Sequence, residues 1–204
     1  DKFIKNENFV KSLKLQWNLV GNLLVLSLIV QLSITLFETI FTIYGKEVSG
    51  YATSFISLGL FVCGLVMAVF QPVVAKWGGR VIKKESNQMV SGFILSGFAL
   101  LLFLSNGQPS WVILVLISIF GIGNSLIVPN LITAVTLESP SSTGNALGLQ
   151  FSFNGIGQIV GPLSGTVLYS INKVIPFFAG GLLLLIVAFY QINHLKKPNH
   201  YGKS

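Results

Sequence analysis

Five long stretches of this chain contain no Asp, Glu, Lys or Arg: 15–37, 48–75, 86–137, 139–172 and 174–195. Each can supply the about 20 residues that a helix needs to cross a hydrocarbon core about 30 Å thick. Inside such a core only helices and closed barrels satisfy their own backbone. The third stretch is too long for one crossing and is divided by Asn106, Gly107, Gln108 and Pro109, a turn signal. The sequence therefore predicts an all-α integral membrane protein with six transmembrane helices, over 17–44, 52–75, 88–104, 111–137, 145–170 and 175–193. A basic segment, 1–16, precedes this bundle, and a tail, 194–204, follows it.

Composition agrees: 52% of residues are hydrophobic and 9% charged, against about 25% charged in soluble domains. The net charge of +7 raises a nucleic-acid reading, which the distribution of charge argues against. With both termini on one side, that side carries Lys2, Lys5, Lys11, Lys14, Lys76, Arg80, Lys83, Lys84, Lys196, Lys197 and Lys203; the other carries Lys46 and Lys173. Basic residues in short flanks mark the cytoplasmic face, so both termini are expected in the cytoplasm of a multi-pass cell-membrane protein. Cys63 stands alone inside the second span, which rules out a disulfide framework and reads as a small packing residue. The basic start followed by apolar residues differs from a signal peptide, because the run is too long and lacks a small-residue cleavage site.

One acid interrupts this greasy landscape. Glu38 follows 23 uncharged residues and belongs to the first span. An ionisable group there costs about 3 kcal/mol or more and marks a functional site by default. Ser27, Gln31, Thr35, Glu38 and Thr42 recur at intervals of four, four, three and four, one face of a helix. A helix polar along one face is expected to line a cavity; a satisfied packing carboxylate is the plainer alternative.

The fourth span contains Gly121, Gly123, Asn124 and Pro129. Pro129 lacks an amide hydrogen and clashes with the carbonyl of Ser125, so a bend is expected there, with Asn124 as the polar group beside it. In the fifth span Gly157, Gly161 and Gly165 are four apart, with Pro162 among them, a strip that lets another helix approach closely. Gln150, Asn154 and Gln158 are likewise four apart, and lipid would leave their donors unpaired. Spans three and six are nearly pure apolar and read as lipid-facing, whereas one, four and five carry the polar side chains and read as inward-facing. This likeness of the two triplets hints at a three-plus-three repeat.

Three pieces of sequence carry a resemblance. Leu36 to Tyr44, with Glu38 among Phe37 and Phe41, is similar to the acid-plus-aromatic seventh helix of bacterial multidrug efflux pumps. Phe153 to Gly165 looks like an eleventh helix with its Gly161–Pro162 pair and late glycine. Pro72 to Lys84 resembles a degenerate copy of the cytoplasmic Asp-Arg-x-Gly-Arg-Arg element; Gly79 and Arg80 fit it, and Lys76 stands where the acid belongs. The chain thus resembles the C-terminal six-helix half of a major facilitator superfamily transporter, in the branch of twelve-helix bacterial drug:proton antiporters. Asn124 stands where some relatives carry a second acid. Segment 1–16 then resembles the end of the central loop, and Asp1 in place of an initiator Met fits a missing N-terminal six-helix half.

The resemblance implies alternating-access transport, with small-molecule substrate, protons, the lipid bilayer and the missing half as partners, and with no cofactor, metal or nucleic acid. Taking a carboxylate out of water disfavours its charged form, and a nearby cation restores it. Proton and lipophilic cation would therefore compete for Glu38. Gln31, Thr35, Asn124, Gln150 and Asn154 would supply polar contacts, and Phe37, Phe41, Phe120, Phe151 and Phe153 aromatic surface, about 0.5–2 kcal/mol each for a desolvated cation. An intramembrane enzyme is disfavoured, because the histidines, His194 and His200, lie in the tail and no acidic pair sits in a span. Two alternatives stay open: a six-helix substrate-binding or accessory subunit, and an exporter of sugars or other small molecules.

Overall fold

The computed structural model describes residues 2–81, 85–103, 109–140 and 142–195. Much of the cytoplasmic charge count therefore falls outside the described side chains. Lys83, Lys84, Lys196, Lys197, Lys203 and His200 lie outside the described residues altogether, as do Asn106, Gly107 and Gln108 of the third turn. Six helices account for nearly all of the rest: α1 (Lys2–Glu47), α2 (Thr53–Val81), α3 (Glu85–Leu102), α4 (Ser110–Glu138), α5 (Thr143–Ile171) and α6 (Ile175–Leu195).

The apolar run of the first helix begins at Gln16, beside the expected Trp17, but the helix itself starts at Lys2, because nothing in the basic segment breaks a helix before that run begins. At 1.5 Å per residue its 46 residues span about 69 Å, far more than a bilayer core, so the helix extends beyond any membrane it crosses. The apolar segment of α3, Ser86–Leu102, is as long as the expected span 88–104 and, at about 25 Å, just short of a full core.

Among the described residues four helices are long and apolar enough to cross a membrane: Gln16–Glu47, Thr53–Lys76, Ser110–Glu138 and Ile175–Asn193. The fifth, α5, has the length, with 29 residues, but its glycines and side-chain amides dilute its apolar content. That composition reflects a helix facing protein along one side.

Chain direction alternates through the bundle. Along α1 and α5 the contacts advance together, Gln16 with Ser142, Ser27 with Gln150, Glu47 with Tyr169, so these helices run parallel. Helices α2 and α4 are parallel too, Gly59 meeting Ile117 and Gly121 meeting Cys63 and Val66. Against this, α3 runs antiparallel to α4, since Gln88 pairs with Asn130 and Ser96 with Asn124. Exchanging the first three helices for the last three maps the α1/α5 pair onto the α4/α2 pair, and both pack closely. The packing thus has the pattern of two related triplets, although α3 lies against α4 more extensively than α6 lies against α1.

The short α1–α2 connection turns at Gly50, whose φ of 66° favours glycine. Small residues set the spacing elsewhere. A Cβ on Gly92 would stand 2.5 Å from the Gly123 carbonyl, and one on Gly181 2.9 Å from the Gly97 carbonyl, so α3 meets α4 and α6 nearly backbone to backbone.

Burial narrows the expectation that spans three and six face lipid to one stripe on each, which on α3 consists of Phe98 and Leu102. Met89, Phe93, Ala99 and Leu100 of α3 are core residues, and α3 lies between α4 and α6. Helix α6 exposes a single stripe, Phe178, Leu182, Ile186 and Phe189, and buries Phe177, Leu184 and Ala188. Exposed apolar faces also belong to α2, through Leu58, Phe61, Leu65 and Val69, and to α5, through Ile159, Leu163 and Val167. Apolarity alone does not separate lipid from protein as a neighbour, because lipid tails are as apolar as leucine. Finally, α4 remains one continuous helix through Pro129.

Candidate functional site

The polar stripe on α1 does not meet one environment. Ser27 is buried, Gln31 and Thr35 are half-buried, and Glu38 and Thr42 are exposed. Helix α5 causes the split by covering the N-terminal part of the stripe. Gly157, Gly161 and Gly165 turn toward α1: a Cβ on Gly157 would lie 2.7 Å from the Leu28 carbonyl, and one on Gly161 2.7 Å from the Leu32 carbonyl. Pro162 is half-buried on the same helix, which passes through it unbroken. Thr35 fills the seam, donating to the Gln31 carbonyl at 3.0 Å and lying 3.3 Å from the Gly157 carbonyl.

Beside this seam the side chains of α1, α4 and α5 enclose a small recess of about 40 Å³. Its polar lining is Ser27, Gln31, Gln150 and Asn154; Val30, Val128, Leu131 and Ile132 form the apolar wall. Gln150 is 2% exposed and donates from Nε2 to the Ser27 hydroxyl at 2.9 Å. Gln158, the third amide of its row, is exposed.

Glu38 lies seven residues beyond Gln31, about 10 Å further along α1. Its carboxylate has no hydrogen-bond or ion-pair partner among the described residues, while its carbonyl accepts from Thr42 at 2.8 Å. An acid within an apolar helix, exposed and unpartnered, can exchange a proton or meet a cation that reaches this face.

The aromatic residues of the sequence reading do not share that face. Phe37, Phe41 and Phe120 are 0%, 2% and 0% exposed. Phe37 meets Phe120 at 4.6 Å, Phe41 at 5.6 Å and Phe103 at 5.5 Å between ring centres. A residue next to Glu38 in sequence is rotated by about 100° around the helix, so Phe37 turns into the core as Glu38 turns out. These three rings are packing residues in this conformation, not cavity wall. Phe151 is exposed, and Phe153 packs on Trp17 at 5.9 Å.

Asn124 is displaced from the expected site for a similar reason. It is 1% exposed and faces α3, donating to the Phe120 carbonyl at 2.9 Å and to the Ser96 hydroxyl at 3.3 Å. Its contribution is to hold α4 against α3. The structure thus brings Gln31, Gln150 and Asn154 together, with Thr35 adjacent and Glu38 beyond, and it separates Asn124, Phe37, Phe41 and Phe120 from them.

Two sets of residues escaped the sequence reading. The apolar wall, Val128, Leu131 and Ile132, has no sequence signal, since aliphatic residues abound in every span. Gln16 is 2% exposed, accepts from Ser139 at 3.3 Å and donates to the Ser142 hydroxyl, tying α1 to the α4–α5 turn. A Gln at the edge of an apolar run was the available sign.

Helices that alternate in direction, four of them among the described residues long and apolar enough to cross a membrane, with an unpartnered acid on an exposed face of α1, have the build of a membrane protein. Comparison with known proteins is specific. The Major Facilitator Superfamily matches residues 2–162, and the chain belongs to that family. It is similar to the class B tetracycline resistance protein of Escherichia coli, 30% identical over 159 residues, covering 76% of this chain and 37% of that protein. It also resembles Multidrug resistance protein 2 of Bacillus subtilis, 23% identical over 184 residues, 89% of this chain and 45% of the other. A third relative is the quinolone resistance protein NorA of Staphylococcus aureus (strain MSSA476), 22% identical over 193 residues, 91% of this chain and 49% of the other. The chain spans less than half the length of these relatives.

Proposed function

We propose that this chain is the C-terminal half of a proton-coupled exporter of lipophilic or cationic small molecules that works by alternating access. Family membership, and relatives named for resistance to tetracycline, multiple drugs and quinolones, support transport of foreign small molecules. The observation that carries the coupling is Glu38, an intramembrane carboxylate exposed and unpartnered on the α1 face. Proton and cation compete for it, so loading one releases the other. Gln31, Thr35, Gln150 and Asn154 supply polar contacts nearby, and Gly157, Gly161, Pro162 and Gly165 hold α5 against α1.

In this reading residues 17–193 form the membrane half, 1–16 its cytoplasmic approach and 194–204 a cytoplasmic tail. A second six-helix half completes the translocation path, because a midplane site in such transporters lies between halves that rock against each other. The exposed apolar faces of α2 and α5 are surfaces such a half can cover.

The test is to read the gene upstream of the Asp1 codon and assay the joined protein. Six further spans in frame are expected, and everted vesicles carrying the joined protein should move a cationic dye when a proton gradient is imposed. A joined protein that folds and leaves the dye distribution unchanged in both the presence and absence of the gradient overturns the reading.

A further inference from the structure

Among the described residues, two of the buried polar atoms without a hydrogen-bond partner are Ser33 Oγ on α1 and Asn124 Oδ1 on α4. Both side chains are 1% exposed, so solvent does not meet the demand, and buried polar atoms are almost always satisfied. Ser33 departs from the habit of its own helix. Thr35, Thr39 and Thr42 donate back to the carbonyls of Gln31, Thr35 and Glu38 at 3.0, 2.8 and 2.8 Å, the local solution open to a helical hydroxyl. The Asn124 nitrogen is committed to the Phe120 carbonyl and to Ser96. Ser96 in turn aims its own hydroxyl at that carbonyl, at 3.4 Å. The Asn124 oxygen therefore needs its donor from another helix.

The path of the chain supplies one at the same level. Phe37 meets Phe120, and further along the pair Val30 and Val128 line one recess, so α1 and α4 run antiparallel. Ser33 lies between Val30 and Phe37, and Asn124 lies midway between Phe120 and Val128. At 100° per residue Ser33 stands within about 60° of both its markers, and Asn124 within about 40° of its own. A hydroxyl donor and an amide acceptor, complementary and both unmet, thus occupy one rung of the α1–α4 seam. Beside that rung the recess leaves about 40 Å³ unfilled, room for the seam to tighten.

We propose that Ser33 and Asn124 are the two halves of a hydrogen bond that is open in this conformation and closes, Ser33 O–H to Asn124 Oδ1, when α1 and α4 draw together and the recess collapses. The seam then has two arrangements. The open one keeps an unfilled space and two unmet atoms; the closed one replaces them with a bond and a packed wall. Because α1 is one continuous helix, the acid five residues beyond Ser33 shifts with the seam. The device lies within this half and does not depend on the export reading.

The experiment uses the whole chain in lipid nanodiscs, in a Cys63→Ala background, with Val30→Cys and Val128→Cys placed across the recess. Two cysteines cross-link only when their Cα atoms come within about 7 Å, so oxidation by iodine reports closure. The expected result is a cross-link that forms readily, and at least threefold more slowly once Ser33→Ala or Asn124→Ala is added. No cross-link in a pair that elutes like the parent chain overturns the proposal, as does an equal or faster rate without the Ser33 hydroxyl. Should the cysteine pair not fold, the thermal unfolding of Ser33→Ala decides by its sign. Losing a bond that forms lowers the melting temperature, and the effect vanishes when Asn124→Ala is already present; that result supports the device. Removing a hydroxyl that never finds a partner raises the melting temperature or leaves it unchanged, additively with Asn124→Ala, and that result overturns it.

Discussion

Neighbouring residues on α1 have opposite surroundings, and the contrast between Phe37 and Glu38 decides how the site is read. The acid was legible from sequence because an apolar span makes any charge conspicuous. Its aromatic neighbours Phe37 and Phe41 turn into the core, because adjacency in sequence is not adjacency on a helix. The stripe from Ser27 to Thr42 was legible as a face, but the sequence does not show which helix covers which part of it. The core role of Phe37 has a measurable consequence. Phe37→Ala removes a ring packed on Phe41, Phe103 and Phe120, and truncations of this kind cost about 3–5 kcal/mol. The variant should unfold in detergent at a clearly lower temperature while the ranking of cationic over neutral dyes in transport stays unchanged. A selective loss of cationic dyes at unaltered thermal stability would return Phe37 to the cavity.

At the scale of elements, the α1–α5 pair is held along its length. Gln16 and Ser142 join it at one end, Ser27 and Gln150 lie within it, and Tyr169 donates to Glu47 at 3.0 Å at the other. The glycine row between these contacts was readable from its four-residue spacing, but its partner was not, since any helix with a smooth face would serve. The row yields a comparison within one helix. Leu at Gly161 would collide with Thr35 and the Leu32 carbonyl, whereas a Cβ on Gly155 meets nothing within 4 Å. Gly161→Leu should reduce the monodisperse yield in detergent several-fold, and Gly155→Ala should leave it within experimental scatter. Size-exclusion profiles of the two variants check this, and equal yields would remove the tight contact.

For the whole molecule, six helices with alternating directions follow from charge-free intervals and turn residues, which is why the architecture was largely readable. Which faces pack was not, because α3 and α6 have the composition of lipid-facing spans while α3 packs against both α4 and α6 and leaves only Phe98 and Leu102 as large exposed apolar residues. Orientation rests on the basic flanks, most of whose side chains fall outside the described residues. It is tested by single cysteines at Ser49 and Ser86 in a Cys63→Ala background. An impermeant thiol reagent added outside intact cells should label position 49 and spare 86; the reverse pattern would invert the topology. The short coverage of each relative leads to a further expectation, that the 204-residue chain alone in vesicles gives no proton-coupled dye uptake. Robust uptake would instead mean that copies of this half assemble into a complete path.

We propose Glu38 as the coupling group, and proton-driven efflux of a cationic dye by Glu38→Gln in the joined protein puts that role to the test. Gln keeps the shape and the hydrogen-bonding capacity of Glu and cannot ionise, so it separates charge from packing. The variant should reach normal expression and thermal stability, lose gradient-driven efflux of the cationic dye, and lose less with a neutral substrate unless the same carboxylate also carries the obligatory proton. Glu38→Asp should retain part of the activity, since the charge remains while its reach shortens by one methylene. Undiminished efflux of the cationic dye by Glu38→Gln, at normal expression, would contradict the account and move the coupling group to the other half.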